Sequence, residues 1–348
     1  PYTGTIFSNN PLFIDLKELT TDKWHKILSE KTFKDIVDNN PNKDKNKTSY
    51  SYITKRQDEA LTEAYENFLK LNDKKLNAEF ETYKIENDSW LDKDSLYEAF
   101  ALENGTDYWP NWKNKADKNV FNPKSIEEKI EYGKRIDEMS KKYAKEIDKY
   151  KFIQFVLNKQ NVETKKYADS KNIKMIADRQ VAFSDRDCWA YQSLFLEGWC
   201  LGCPPDYFSK DGQAWGFPVI DPEKLYNSDG SLGEAGILMK NLFKKMFKEN
   251  PGGVRIDHIV GLIDPWVYKA GKKPMPEQGA GRLYSSPEHP ELSKYAIAKL
   301  EDLDTTLTPD KEKRVKSLTE EQIRLYGRLI EKIVIHEKID ENGEKIMP

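Results

Sequence analysis

The chain is poor in the residues that staple small proteins or hold metals. It has three cysteines in 348 residues, Cys188, Cys200 and Cys203, an odd total that leaves no complete disulfide framework. Cys200-Leu201-Gly202-Cys203 has CxxC spacing, but a zinc site of that kind wants a second pair, and none exists. Of the four histidines, His25, His289 and His336 show no ligand spacing and are expected on the surface; no EF-hand-like run of acids occurs either. No metal and no other cofactor is therefore expected, and three reduced thiols suit a cytoplasmic protein. No apolar run approaches the ~20 residues needed to cross a bilayer. No signal peptide is visible, although the chain opens at Pro1-Tyr2 without an initiator methionine. Charge of one sign is also lacking: 56 Lys+Arg stand against 59 Asp+Glu, interspersed, for a net charge of −3. That balance points to solvated helix faces and argues against a nucleic acid or a membrane surface as partner.

What is there begins with one short run, Val254-Arg255-Ile256-Asp257-His258. In an extended strand successive side chains point to opposite faces, so Arg255 and Asp257 share one face. A cation so placed favours the charged form of a carboxylate and aims it. An ionised, oriented carboxylate at a strand end is what a retaining glycosidase needs as nucleophile. A structural salt bridge at a strand end explains the pentapeptide equally well.

The second signal is residues 202–218, GCPPDYFSKDGQAWGFP. Six glycines and prolines make this stretch read as a loop rather than a strand or helix. Tyr207, Phe208, Trp215 and Phe217 are too many rings for a plain solvent turn. Aromatic faces suit the apolar C–H faces of sugars, and Asp206, Asp211 and Gln213 supply partners for hydroxyls. The alternative is a rigid loop that packs its rings inward.

Along the chain, residues 1–20 read as a short extended segment. Residues 21–150 carry charged helical patterns, with apolar stripes at Leu61, Tyr65, Phe68 and Leu69 and at Ile136, Met139, Tyr143 and Ile147. From 151 to 348 the texture changes. Runs such as 174–177 and 253–256 alternate with helical segments such as 232–249, which suggests β/α units and parallel strands. Asp178 and Asp257 each end such a run. A helix over about 319–338 follows from Ile323, Tyr326, Ile330 and Ile333, and it makes Glu337 an exposed residue near a helix end.

These motifs together carry a resemblance. RIDH at 255–258, with GxPPDYFSxxGQxWGxP at 202–218, resembles the amylomaltases, the 4-α-glucanotransferases of glycoside hydrolase family 77. Pro1-Tyr2 with Asn10-Pro11-Leu12, Trp90-Leu91, Tyr108-Trp109-Pro110-Asn111-Trp112, Phe152-Ile153-Gln154-Phe155 with Gln160, Ile176-Ala177-Asp178, and Gly281-Arg282-Leu283-Tyr284 agree with it, so the resemblance runs the length of the chain. It implies an α/β fold, a (β/α)8 TIM-type barrel, here incomplete at both ends and carrying a large, mainly helical insertion. The expected division is a barrel segment with a donor-site loop at 1–20, a helical insertion at 21–150 and the barrel core at 151–348.

The resemblance also implies roles. Asp257 is the nucleophile and Arg255 orients it; His258, Asp178 and Tyr2 contact the donor glucose. Tyr207 and Phe208 grip the acceptor, and Asp206, Gln213 and Trp215 belong to the same substrate-binding set. The substrates are α-1,4-glucans: maltooligosaccharides, amylose and glycogen-type chains. Three departures stand out. The family run RIDHFRG is here RIDHIVG, and the residue before Asp178 is Ala177 rather than glycine. The EDLG motif that carries the general-acid glutamate and the later THD motif are both absent. The chain is thus expected to be an interior fragment, with the acid outside it and little or no transferase activity by itself. Two alternatives share the same residues: an α-glucan hydrolase with water as acceptor, and a truncated, non-catalytic glucan-binding protein.

Overall fold

Capping residues set the helices of the first half of the chain. The structure, a computed structural model, describes residues 5–296 and, beyond them, the backbone of Lys338–Ile339 and Lys345–Ile346. Six helices come first: α1 (Glu30–Asp38), α2 (Tyr50–Leu71), α3 (Lys74–Asn104), α4 (Lys115–Asn119), α5 (Ile126–Lys142) and α6 (Ala144–Ser170). Ser29, Asp73 and Ser125 each accept a hydrogen bond from the backbone N–H three residues on and so start α1, α3 and α5. α2 stops at Asn72 and α3 at Gly105, both in the left-handed region. Leu61, Tyr65 and Phe68 of α2 are buried, but Leu69 is 48% exposed and lies off that stripe. Phe68 stacks on Phe152 of α6 at 4.7 Å, and Phe80 of α3 meets both Phe152 and Phe155. Burying such a ring fully is worth about 1.5–3 kcal/mol.

Two expectations for this half need correction. Residues 11–13 and 18–20 form single 3-10 turns rather than extended chain. Pro11 starts the first, and the Asn10 side chain accepts from Leu12 N. The boundary expected at 150/151 falls inside α6, whose residues 152–157 are all buried. A helix covered on every side loses its amphipathic period, so this stretch reads as a change of texture.

After α6 come β1 (Ala177–Arg179), α7 (Asp185–Ala190), β2 (Phe195–Cys203), β3 (Gln213–Ile220), α8 (Glu234–Glu249), β4 (Val254–Ile256), α9 (Val260–Ile263), β5 (Trp266–Lys269), β6 (Gly281–Arg282), β7 (Lys338–Ile339) and β8 (Lys345–Ile346). The chain divides into two compact units. One holds Pro1–Ala177, Phe183–Ser193 and Lys244–Val254; the other holds Asp178–Ala182, Leu194–Phe243 and Arg255–Pro348. The second unit contains a four-stranded antiparallel sheet, order β3-β2-β5-β6, over a core that includes Leu201, Val219, Val267, Leu283 and Leu292. β1 and β4 make a separate two-stranded sheet. Ala177 N donates to Gly253 O at 3.0 Å and Asp257 N to Arg179 O at 2.8 Å. Residue numbers rise together along the two strands, as in parallel partners. Among the described residues this pair is the part that fits a parallel β/α unit; the closed barrel is not seen in them.

The 202–218 segment is a hairpin, not one long loop. β2 runs into Cys203 and β3 starts at Gln213, so only 204–212 connect them. Gly216 and Pro218 are admissible in β3 for physical reasons. Gly216 has φ +74 beside register shifts in the ladder, and Pro218 sits on a strand at the sheet's edge. Tyr2 lies outside the described residues. So does the helix expected over 319–338, except Lys338, which pairs as a strand.

Candidate active site

Arg255 is the centre of the site. It occupies the middle of β4 and aims its guanidinium along the strand face that Asp257 shares. Nη2 donates to Asp257 Oδ1 at 2.7 Å, so the two-residue spacing does bring the side chains together. Nη1 reaches Asp178, the middle residue of β1, at 2.8 Å from Oδ1 and 2.7 Å from Oδ2. One planar fork thus ties two carboxylates that lie 79 residues apart in the chain. Asp257 follows the last residue of β4, where its own N–H bond to Arg179 O holds the backbone. Asp257 Oδ2 carries no hydrogen bond among the described residues. The three side chains are 53–59% exposed, so the fork faces solvent rather than a sealed interior.

His258 comes next, in a left-handed backbone conformation at φ +53 that turns the chain from β4 towards α9. Its ring stands edge-on to Trp215 of β3, 5.0 Å between centroids at 80°. Trp215 Nε1 donates to Gln213 Oε1 at 3.2 Å. Gly261 closes the other side: a Cβ there would fall 2.9 Å from His258 Cδ2 and 3.0 Å from Val181 Cγ1. Gln213, Trp215 and His258 therefore form one chain of contacts.

Tyr207 and Phe208 form a separate pair, edge to face at 5.4 Å and 88°, and are 94% and 89% exposed. Their rings do not pack inward, whereas Trp215 of the same segment is packed against the core of the second unit. Asp206 serves its own backbone: Oδ1 accepts from Phe208 N at 2.9 Å and from Ser209 N at 2.7 Å. Asp211 pairs with Lys273 at 2.6 Å. Spacing gave no sign of Lys273 or of Val181; Gly261 at least lies within the RIDHIVG run. His289 is not a free surface residue either. Its Nδ1 accepts from Glu291 N and Leu292 N, and its Nε2 meets Gly279 O.

Cys188, Cys200 and Cys203 are not joined in disulfides, and burial pushes the thiols of Cys200 and Cys203 up. Among the described residues, no helix is long and apolar enough to cross a membrane. The arrangement offers a carboxylate held in one direction with an oxygen to spare, a second carboxylate held through both oxygens by the same guanidinium, and, on the connection between β2 and β3, two exposed rings. Such a set can attack an electrophilic carbon and hold an apolar, hydroxyl-bearing substrate.

A family model described as 4-alpha-glucanotransferase, Glyco_hydro_77, matches residues 1–330. The 4-alpha-glucanotransferase of Clostridium butyricum is 29% identical over 292 residues, which is 78% of this chain and 52% of that protein. The 4-alpha-glucanotransferase of Aquifex aeolicus is 26% identical over 282 residues, 78% of this chain and 51% of the other. Among solved structures, the amylomaltase from Streptococcus agalactiae in complex with acarbose has a TM-score of 0.63 at 22% identity, with 79% of this chain and 51% of that one covered. That last likeness is one of fold. The chain spans about half the length of the curated relatives it matches.

Proposed function

Because the chain belongs to the 4-alpha-glucanotransferase family, we propose that it carries the nucleophile of a retaining transferase acting on α-1,4-glucans. The Arg255 fork carries the proposal: one guanidinium fixes Asp257 through Oδ1 and holds Asp178 through both oxygens. In the first step Asp257 Oδ2 attacks the anomeric carbon of the donor glucose. The bond to the glycosidic oxygen breaks, and that oxygen takes a proton from a general acid. The product is a covalent glucosyl ester of Asp257. In the second step the 4-hydroxyl oxygen of another glucan attacks the same carbon, its proton passes to the acid's conjugate base, and the Asp257 carboxylate leaves. Two inversions restore the α configuration; one α-1,4 bond is broken and one is made.

Asp178 is a poor candidate for the acid, since both its oxygens already accept from Arg255. The family resemblance makes the acid a glutamate in an EDLG run that these 348 residues do not contain. His258 and Trp215 flank the donor sugar, and Tyr2 joins them by resemblance. Tyr207 and Phe208 offer ring faces to the acceptor. Transfer outruns hydrolysis when the acceptor is held well and water is kept away. On this reading β1 and β4 are strands of a (β/α)8 barrel, and catalytic groups at the C-terminal ends of such strands are where that fold puts them. The enzyme works in the cytoplasm on maltooligosaccharides and longer chains, without a metal or cofactor.

The test uses the uninterrupted gene product that contains this chain. From maltotriose it should release glucose together with longer maltodextrins, whereas a hydrolase yields only shorter sugars. Asp257→Asn should lower turnover by about 10⁴-fold or more, the size seen when a nucleophile is removed. Near-normal turnover in that variant rejects Asp257 as nucleophile.

A further inference from the structure

The connection between β2 and β3 is built more rigidly than its exposed position requires. Besides the two bonds to Asp206 Oδ1, Asp206 N donates to Ser209 O at 2.9 Å and Gly212 N to the same oxygen at 3.0 Å. Ser209 Oγ donates to Gly212 O at 2.6 Å. Gly212 has φ +72, and a Cβ there would fall 2.5 Å from Cys203 O and 2.9 Å from Pro274 Cγ, so the foot of the loop is packed tight. Lys273 holds Asp211 from outside. On this frame stand Tyr207 and Phe208, the two most exposed large rings among the described residues. Leaving two aromatic rings in water forfeits their burial energy, and fixing them in advance removes an ordering cost from any later binding.

We infer that Asp206 is a positioning residue: its Oδ1 locks residues 204–212 so that Tyr207 and Phe208 stand as a preformed aromatic clip, with the Lys273–Asp211 pair as a brace. This rests on the reading of those rings as the acceptor grip. Binding then costs little loop ordering, so the clip's geometry sets the acceptor's KM.

Lys210, exposed within the same loop, gives a readout independent of sugar chemistry: native-state trypsin cleavage after it, followed by mass spectrometry. In the uninterrupted gene product, Asp206→Ala should be cut about fivefold faster than the parent, the scale of a lost side-chain cap. Asp206→Asn keeps an acceptor oxygen in place and should be cut at the parent rate. With maltotriose as donor and glucose as acceptor, the Ala variant's loss should be confined to acceptor KM, about fivefold, and the Asn variant should restore it. Lys273→Gln, which reaches the loop only through Asp211, gives both readouts a second time with smaller shifts in the same direction. Cleavage of Asp206→Ala at the parent rate overturns the inference. Asp206→Asn failing as badly as Ala also overturns it, since the negative charge and not the two N–H bonds is then what matters. Faster cleavage with an unchanged acceptor KM overturns instead the reading of the rings as an acceptor grip.

Discussion

Replacing Arg255 by lysine separates a structural ion pair from one that serves catalysis. The guanidinium makes two bonds to Asp178 and one to Asp257, and all three side chains are more than half exposed. Exposed ion pairs contribute about 0.2–1 kcal/mol each, because water and salt screen them. Lysine keeps one partner, so the loss of stability stays near 1 kcal/mol or below. In a chain of this size that moves Tm by about 2 °C. The consequence for rate has a different size. An ammonium is a compact point charge that cannot span two carboxylates as a planar fork does. Asp257 then loses its fixed direction, and a misplacement of about 1 Å in a reacting group costs about 10²-fold. Glucose release from maltotriose and thermal unfolding by circular dichroism, on one preparation of the uninterrupted gene product, give both numbers. The expected pair is a Tm within about 2 °C of the parent and a kcat/KM lower by about 10²-fold. Two results refute the reasoning: a lysine variant as active as the parent, or a Tm drop of about 8 °C or more with activity falling in step, which marks the fork as structural.

Two further outcomes follow from residues around the site and in the helical unit. Burial pushes the carboxyl of Asp94 up to about 7, against the 2.6 Å hydrogen bond from Thr5 Oγ1 and the charge of Arg186, while Asp187 pushes it the same way as burial. A folded value above the ordinary 3.8 means that its stability contribution is complete below about 3.8 and is lost as pH rises through about 7. Asp94→Asn does not titrate, so urea unfolding at pH 5.5 and pH 8 should show the variant gaining on the parent at the higher pH; parallel profiles sink this reading. Gly261→Ala puts a Cβ 2.9 Å from His258 Cδ2, and such overpacking costs about 1–3 kcal/mol unless the ring moves. Transfer by that variant should fall about tenfold as His258 is displaced, and parent-like transfer rules out this packing as the ring's constraint.

Arg255 and Asp257 are legible in the sequence because strand alternation is local: two residues apart means one face, whatever the rest of the chain does. Asp178 is not legible in that way. Its place at the end of a strand-like run makes it a candidate, but nothing in its neighbourhood says that β1 lies beside β4. Lys273 is hidden for the same reason, 62 residues from the Asp211 it holds. The reading of 202–218 as one loop fails on a different point. Gly216 and Pro218 break a central strand, but β3 is an edge strand with an irregular register, where both residues are tolerated. In α6 the failure is one of contrast. Residues 152–157 are buried throughout, so that stretch of the helix shows no polar face from which its period can be read.

Asp206 is the instructive case, because the sequence held the answer. An aspartate followed by backbone N–H groups two and three residues on is the pattern of an Asx-type turn, and Asp206-Tyr207-Phe208-Ser209 supplies both donors. A side-chain oxygen already accepting from two N–H groups has little capacity left for a sugar hydroxyl. Counting acceptors before assigning contacts gives Asp206 Oδ1 to the loop's own backbone, and on the function proposed above the rings it holds, Tyr207 and Phe208, are the groups through which that loop meets a glucan.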